Sequence, residues 1–281
     1  MPPKNALFSG PARLLDRPAN LGGGFHLLRV SAPEIAAAAR PGSFAMIGLE
    51  GPGAPFLSRP LAIFGADTSS GAVEFLVRPL PHGRLAPLLV ELPAGASVRL
   101  VGPLGRPWRP VEAELAILVA GGTGYAALRL LRLELARRGQ AVRVIWGESC
   151  ASRFPCGEFL GQCGPGLVCA TEDGSCGSRG TSVDCLREML AAELRGDPRA
   201  RVALYGAGPV GMLRALAALA RERALRCQVS LEARMACGFG ACRACVVNAV
   251  SPHPETGLRR RAVCSDGPVF DAAEIDWDDL Q

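Results

Sequence analysis

Residues 115–124, LAILVAGGTG, decide the fold class of this chain. The run Leu115–Ala120 is continuously apolar, as expected of a strand that is buried on both faces of a parallel sheet. A glycine-rich turn follows it, then apolar residues at helical spacing from Tyr125 to Arg138, then a second apolar strand at 141–146. This order of strand, helix and strand predicts a βαβ unit.

A second copy of the pattern begins near residue 201. A predicted strand at 201–205 leads into the loop GAGPVG at 206–211, and a predicted helix follows at 212–224. Strands that alternate with helices predict a doubly wound parallel α/β domain, which we place at residues 111–226.

The residues before this domain read differently. Five short runs rich in β-branched and aromatic residues are separated by turn-forming Gly, Pro and Ser, and they predict an antiparallel β-barrel over residues 1–110. A short helix is expected within 83–92. The predicted strands are 25–30, 43–47, 61–64, 72–77 and 97–101. Residues 227–281 return to short elements and form a small third domain in this division.

Composition excludes several classes of protein. The chain has 281 residues, of which 49% are hydrophobic and 20% charged, so wholesale disorder is excluded and two or three domains are expected. No apolar run approaches 18 residues and the start lacks the apolar run of a signal peptide, so we expect a cytoplasmic chain without a membrane span. Lys4 is the only lysine among 31 basic residues, and the arginines are scattered, which argues against a nucleic-acid partner.

Four of the eleven cysteines have a spacing that indicates a metal centre. Three follow the pattern Cys-x4-Cys-x2-Cys and the fourth follows after 18 intervening residues, which is the plant-type [2Fe–2S] order with a remote fourth cysteine. Gly238 and Gly240 suit a loop that wraps a cluster, because glycine adopts positive φ and lets amides approach sulfur. Structural zinc is the alternative, but zinc ligands are more often grouped as two pairs. The predicted ligands are Cys237, Cys242, Cys245 and Cys264.

The remaining cysteines and the histidines indicate no further chemistry. Six cysteines between Cys150 and Cys185 match no metal spacing, so we interpret them as structural or incidental. His26, His82 and His253 stand in unrelated contexts, and no catalytic residues are predicted.

Both glycine loops fit the phosphate-binding pattern G-x-G-x-x-G/A between a strand and a helix. Only one loop can hold the pyrophosphate of one nucleotide, and Pro209 removes a backbone donor from the second. We therefore assign the phosphates to the first loop and place the second at the same cleft. Glu148 is a candidate for the downstream acid of such sites. The alternative is that the glycines only permit close packing. The predicted nucleotide-binding residues are Gly122, Thr123, Gly124, Gly208 and Pro209.

The whole order of barrel, nucleotide domain and cysteine loop resembles one family. It is similar to the electron-transfer subunit of NAD-dependent dihydroorotate dehydrogenase, within the ferredoxin–NADP reductase-like superfamily. The resemblance is nearly full-length. It rests on the segments PGSF at 41–44, RPLAI at 59–63, GPLG at 102–105, GGTG at 121–124, TEDGS at 171–175, SLEARMACGFGACRAC at 230–245 and VCSDGPVF at 263–270.

The resemblance implies an electron relay between NAD(H), FAD and a [2Fe–2S] cluster. Electrons would pass singly through the cluster to or from the FMN of a separate catalytic subunit that oxidises dihydroorotate, within a heterotetramer. The flavin is needed because hydride transfer moves two electrons and the cluster carries one.

The resemblance also assigns the FAD to the barrel. The implied flavin-binding residues are Arg59, Pro60, Leu61, Ala62, Leu76, Val77, Arg78, Gly83 and Arg84. Ordinary ion pairing of Arg59 and plain barrel packing of the others are the alternatives. Three residues depart from the family pattern: Ala62 replaces Ser or Thr, Arg84 replaces Thr, and Ala207 replaces a cysteine.

Two other functions remain open from the sequence. One is a reductase arm of another complex, which would serve a hydrogenase, an oxygenase or a ferredoxin-linked enzyme. The other is a zinc-stabilised binding module without catalytic function, which would bind no flavin and would not oxidise NADH.

Overall fold

The computed structural model describes residues 7–193, 202–253 and 257–280. Within these ranges it contains an eight-stranded sheet, a seven-stranded sheet and a two-stranded sheet. The strands are Phe8–Leu14 (β1), Ala19–Gly22 (β2), Phe25–Ser31 (β3), Phe44–Gly48 (β4), Arg59–Ala62 (β5), Gly65–Asp67 (β6), Ala72–Val77 (β7), Ser97–Leu104 (β8), Leu115–Gly121 (β9), Ala141–Glu148 (β10), Leu167–Thr171 (β11), Ser178–Arg179 (β12), Val202–Ala207 (β13), Arg226–Ser230 (β14), Val246–Asn248 (β15), Arg260–Ala262 (β16) and Val269–Asp271 (β17).

The two helices of the barrel are short, and three of the four helices of the parallel domain are longer. They are Pro33–Ala38 (α1), Ala86–Val90 (α2), Tyr125–Arg137 (α3), Gly157–Gln162 (α4), Ser182–Glu193 (α5) and Val210–Glu222 (α6). No helix in the described part of the chain is long and apolar enough to cross a membrane.

The first sheet is the predicted antiparallel barrel. Its strand order is β5-β4-β8-β1-β3-β7-β6, with β2 paired to β3. The edge strands β5 and β6 are joined by Ile63 and Phe64 alone. The Ile63 amide bonds to Ser43 O beside β4, and the Phe64 amide bonds to Glu74 O in β7. These two residues therefore bring both edges of the sheet together, which closes the sheet into a barrel.

This connection corrects one predicted strand. The sequence predicted a strand at 61–64, whereas the structure has it at Arg59–Ala62. Ile63 and Phe64 are as apolar as a strand requires, but they are buried in the crossing between the edges. Strands β1, β2 and β6 and helix α1 were not predicted.

The second sheet is the predicted parallel one. Its order is β12-β11-β10-β9-β13-β14-β17, and every neighbouring pair is parallel except β14 with β17. The strand predicted from residue 201 is observed from Val202, because Arg201 lies outside the described residues. Since β14 and β17 extend this sheet past residue 226, the C-terminal segment is built onto its edge. The division at residues 110 and 226 stays a prediction.

The strand order places a crevice between the two glycine loops. β9 comes first in the chain and lies between β10 and β13, so the order reverses at this strand. In such open sheets, ligands bind outside the carboxyl ends of the strands at the reversal point. The loops after β9 and β13 are the two glycine loops of the sequence.

An aromatic cluster fills the space between the barrel and the parallel sheet. The Trp146 ring stacks on Tyr125 at a centroid distance of 4.6 Å and contacts Phe25 of the barrel edge-on at 5.7 Å. Trp146, Tyr125 and Phe25 are fully buried. The barrel and the parallel sheet thus share one core.

Candidate functional site

The two glycine loops lie directly against each other. A Cβ at Gly124 would overlap the carbonyl of Ala207, and a Cβ at Gly208 would lie 2.9 Å from the amide nitrogen of Gly121. Real Cβ atoms do not approach backbone this closely, so the packing alternative accounts for both glycines. The phosphate-binding role of the loops stays a prediction.

The surroundings of these loops suit an anion nevertheless. Gly122–Gly124 form a 3-10 turn that runs into α3, so the first amides of the turn and helix lie at the carboxyl edge of the sheet. Thr123 is half-buried in this turn, whereas Pro209 is exposed and precedes α6.

Arg78 connects the barrel to the first glycine loop. Its Nη1 lies 2.7 Å from Glu148 Oε1, and its Cζ lies 4.5 Å from the centroid of the Phe25 ring. A Cβ at Gly122 would be 2.7 Å from Nη2 of Arg78. Gly122 also has φ +55°, so the guanidinium occupies the space that a side chain there would need. The structure thus brings together a predicted flavin residue and a predicted nucleotide residue.

Glu148 is the second partner in this contact. It is the last residue of β10, where an acid of a nucleotide site is expected. Its side chain is only 4% exposed and also lies 3.9 Å from Nε of Arg153. Burial raises the pKa of Glu148, and Arg78 and then Arg153 oppose that shift. The carboxylate is therefore paired with Arg78, and its candidate role toward a nucleotide stays a prediction.

Arg78 carries a feature that fits a bound cofactor. Its Nε is buried and has no hydrogen-bond partner in the described structure. A buried polar atom without a partner costs free energy, and a ligand atom in the cleft could satisfy it. A flavin or nucleotide cofactor therefore fits this site.

Along β5 and β7, successive side chains of the predicted flavin residues point into two different cores. Ala62 and Leu76 pack in the core shared with the parallel sheet, whereas Leu61 and Val77 pack inside the barrel. Side chains of successive strand residues point to opposite faces. Any contact of Leu61 or Val77 with a flavin would therefore use the main chain.

The last predicted flavin residues lie at the surface. Arg59 is exposed and its Nη1 donates to Ser58 O at 3.4 Å. Pro60 is half-buried, while Gly83 and Arg84 lie in an exposed turn before α2. Their contacts with a cofactor stay predictions.

The predicted iron ligands lie on two segments that meet. The Cys242 amide lies 3.4 Å from Cys237 Sγ, and the Gly240 amide lies 3.1 Å from Cys264 Sγ. The Val263 amide also bonds to Cys245 O at 2.9 Å. The loop thus holds both the near cysteines and the remote one.

The thiols of this loop have shifted pKa values. Burial raises the pKa of Cys237, but amides of Cys242, Phe239 and Ala241 outweigh burial and lower it to about 6. Burial, followed by the Cys245 thiol, raises the pKa of Cys264 to about 12. An anionic iron–sulfur cluster requires amides that favour thiolates and several thiols close together. The amides at Cys237 and the thiols around Cys264 meet these two requirements. The four residues therefore fit a [2Fe–2S] cluster.

The backbone of the loop explains its glycines. Gly238 and Gly240 have φ +84° and +91°, and a Cβ at Gly238 would overlap the Met46 side chain of β4. The loop therefore packs closely on the barrel. Arg243 also has positive φ, at +56°, which no sequence signal indicated because it is not glycine.

β4 contacts both the cysteine loop and the predicted flavin strand β5. Met46 is opposite Pro60 in the β4–β5 ladder, and its side chain contacts the loop at Gly238. The loop therefore packs on the face of the strand that pairs with β5, within the same barrel. The sequence could not predict Met46 in this position, because the contact depends on how the third domain packs.

The other cysteines form no comparable site. None of the eleven cysteines, all of which lie in the described ranges, is in a disulfide bond. Among the residues that the structure describes, no three His, Cys, Asp or Glu side chains, the four predicted iron ligands included, converge as a group that could hold a single metal ion.

Fold and site together define the class. A closed antiparallel barrel, a parallel nucleotide-type sheet and a four-cysteine loop packed on the barrel describe an iron–sulfur electron-transfer protein of the ferredoxin–NADP reductase-like superfamily. Residues 232–276 match the family model described as "Iron-sulfur cluster binding domain of dihydroorotate dehydrogenase B". This match favours iron–sulfur over the zinc alternative.

Curated relatives extend the match to nearly the whole chain. The electron transfer subunit of dihydroorotate dehydrogenase B (NAD(+)) from Desulforamulus reducens is 32% identical over 255 residues, 90% of this chain and 93% of the relative. The subunit of the same description from Bacillus caldolyticus is 37% identical over 241 residues, 84% of this chain and 86% of the relative. The chain belongs to the family of electron transfer subunits of dihydroorotate dehydrogenase B, which confirms the resemblance seen in the sequence.

Solved structures agree with this fold. An NADH-dependent reduced ferredoxin–NADP oxidoreductase, studied for flavin-based electron bifurcation, aligns with a TM-score of 0.81 and 25% identity. The alignment covers 95% of this chain and 91% of that one.

Proposed function

We propose that this chain is the electron-transfer subunit of an NAD-dependent dihydroorotate dehydrogenase. It binds FAD, a [2Fe–2S] cluster and NAD(H), and it exchanges electrons with a separate FMN-containing catalytic subunit, within a heterotetramer. Family membership over 84–90% of the chain supports this function over another reductase arm or a binding module.

One observation carries the proposal. β4 contacts β5 on one edge and the cysteine loop through the Met46 side chain. The cysteine loop and the strand proposed to carry the flavin are thus both in contact with β4, and we propose that the two centres exchange electrons directly. A binding module would have no need of this arrangement.

Each cofactor has its own set of residues in the proposal. Cys237, Cys242, Cys245 and Cys264 hold the cluster, and the turn Gly122–Gly124 with Gly208 and Pro209 holds the nucleotide. FAD lies along the barrel strands, where Ala62, Leu76 and Arg78 face the parallel sheet. Residues 1–110, 111–226 and 227–281 are the corresponding domains.

When bound, FAD converts two-electron hydride chemistry into single-electron transfer, which the cluster supports. The chain's own contribution is orientation and shielding. The buried aromatic cluster excludes water from the space between the domains, and Arg78 presents a cation there. The amides of Gly240 and Cys242 stabilise negative charge on the cysteine sulfurs.

We also infer that the chain works in the cytoplasm. None of its eleven cysteines, each of which the structure describes, forms a disulfide bond, and unpaired cysteines in this number persist in a reducing compartment.

The test is a visible absorption spectrum of the protein purified without oxygen, recorded before and after addition of NADH. We expect flavin bands and a broader iron–sulfur absorbance, both of which decrease with NADH. Addition of the catalytic subunit and dihydroorotate to the oxidised protein should then reduce both centres without NADH. A colourless protein that ignores NADH contradicts the proposal, and reduction by NADH without exchange with the catalytic subunit contradicts the partner.

A further inference from the structure

We propose that Glu148 is a positioning residue, which holds the Arg78 guanidinium at the cleft between the barrel and the first glycine loop and thereby sets the affinity for FAD. The inference rests on the proposed function, because it concerns the flavin site of that function. The proposed role of Glu148 is indirect: it acts on the cofactor through Arg78.

The guanidinium of Arg78 is fixed on several sides. Glu148 Oε1 lies 2.7 Å from Nη1, the carbonyl of Arg153 lies 3.4 Å from the same atom, and the Phe25 ring lies 4.5 Å from Cζ. The Arg78 side chain is 12% exposed. An arginine side chain has many rotamers, so these contacts select one of them.

Glu148 contributes the charge among these contacts. Its side chain is 4% exposed, so neither member of the pair is exposed enough for water to replace the other. Breaking a buried pair by removing one partner leaves an uncompensated charge, which then tends to move toward solvent. Without the carboxylate, Arg78 would keep only its cation–π contact and a long bond to a carbonyl.

The orientation that Glu148 imposes leaves one donor of Arg78 unused. Nη1 binds Glu148 and Nη2 lies beside Gly122, whereas the buried Nε has no hydrogen-bond partner in the described structure. A buried donor without a partner costs free energy unless a ligand supplies that partner. The free Nε and its place at the end of the flavin strand point to a cofactor atom as its partner.

Glu74 provides a matched comparison. Its Oε2 lies 3.7 Å from Nη1 of Arg129, so it also joins the barrel to the parallel domain by an ion pair. Arg129 lies over the Phe64 ring and bonds to Phe64 O, away from the glycine loops. A loss of FAD affinity that follows from weaker domain contact alone would appear in both glutamate variants.

The experiment measures the dissociation constant of FAD by flavin fluorescence for the full chain and for Glu148→Gln, Arg78→Gln, the double variant and Glu74→Gln. Thermal unfolding of each apoprotein checks folding. We expect Glu148→Gln and Arg78→Gln each to weaken FAD binding by about tenfold, and the double variant to be no weaker than Arg78→Gln alone, as for residues that act as a unit. Glu74→Gln should bind like the wild type.

Two results overturn the inference. One is a wild-type dissociation constant for folded Glu148→Gln. The other is a double variant that binds more weakly than Arg78→Gln, because Glu148 would then act independently of Arg78. The comparison of the double variant with Arg78→Gln remains valid if Glu148→Gln alone does not fold. The double variant removes both members of the ion pair and therefore leaves neither charge uncompensated. Failure of the wild-type chain to bind FAD would instead contradict the proposed function.

Discussion

The backbone amide of Gly240 donates a hydrogen bond to Sγ of Cys264 across 3.1 Å. This bond joins the cysteine loop to the remote fourth cysteine, which lies 24 positions further along the chain. Amide donors of this kind lower the energy of negative charge on sulfur. The loop therefore stabilises negative charge on Cys264, a predicted ligand that lies outside the loop.

The first prediction concerns the exposed ligand. Cys242→Ser should abolish or severely reduce the iron–sulfur absorbance, because serine is a poor ligand for iron in such clusters. NADH should still reduce the flavin, since the nucleotide crevice lies at the carboxyl edge of the parallel sheet. Absorption and electron paramagnetic resonance spectra of the purified protein measure both effects.

Cys156→Ser is the control for this variant, because Cys156 is exposed and lies outside the cysteine loop. It should retain the cluster. Transfer of electrons from Cys242→Ser to the catalytic subunit at the wild-type rate would show that the order of the relay is wrong.

The second prediction concerns the contact between the glycine loops. Gly124→Ala would place a Cβ into the carbonyl of Ala207, so the loops must move apart. We expect a loss of about 1–3 kcal/mol in the free energy of unfolding, as for overpacked sites. Urea unfolding of the apoprotein measures this change.

Gly211→Ala is the matched control. Gly211 is the last residue of the second glycine-loop sequence but lies in α6, and a Cβ there would meet nothing within 4 Å. Alanine should be neutral or slightly stabilising at this position. Equal losses in both variants would mean that the close contact of Gly124 is not the cause.

The third prediction concerns the start of α5. Asp184 Oδ2 accepts hydrogen bonds from the amide and the hydroxyl of Thr181, at 3.0 Å and 2.7 Å. Hydrogen bonds from the Thr181 side chain and backbone lower the pKa of Asp184. A carboxyl group with a lowered folded-state pKa stabilises the fold above its unfolded value of 3.8, and this stabilisation is lost as the pH falls through the folded value.

Asp184→Ala should therefore cost about 1 kcal/mol at pH 7, the usual effect of losing helix-cap hydrogen bonds. The difference from the wild type should shrink below pH 3.8. Chemical unfolding at pH 7 and at a series of lower pH values measures this difference in the free energy of unfolding. Glu188→Gln, at an exposed position on the same helix, is the control. A difference that is independent of pH would assign the effect to packing.

The sequence predicted the parts of the fold that depend on local pattern. The buried run at Leu115 and the glycine turn after it define the parallel sheet without help from the rest of the chain. The strand predicted at 61–64 was displaced because burial of Ile63 and Phe64 comes from the barrel's closure, which is a long-range property.

The candidate site likewise has a part that local sequence pattern predicts and a part that depends on long-range packing. The spacing of the four cysteines carries their chemistry, so their pattern alone identified the cluster. Glu148 was only a candidate for the downstream acid of a nucleotide site, and no sequence signal indicated its contact with Arg78, which is 70 positions away in the barrel. Periodicity does not report which side chains meet when two domains pack, so this pair could be found only in the structure.

The last prediction concerns Arg59, which lies exposed at the start of β5. Its Nη1 contacts only a backbone carbonyl at 3.4 Å among the hydrogen bonds of the described residues, so its charge is available for a pyrophosphate. Arg59→Ala should weaken FAD binding by about 1.5–3 kcal/mol, the range for hydrogen bonds to charged groups. The FAD content after dialysis and the dissociation constant measure the change. Arg17→Ala, which removes an exposed barrel arginine paired with Glu91, should retain FAD. Unchanged FAD content in Arg59→Ala would remove Arg59 from the flavin site and leave Arg78 as the cation of that site.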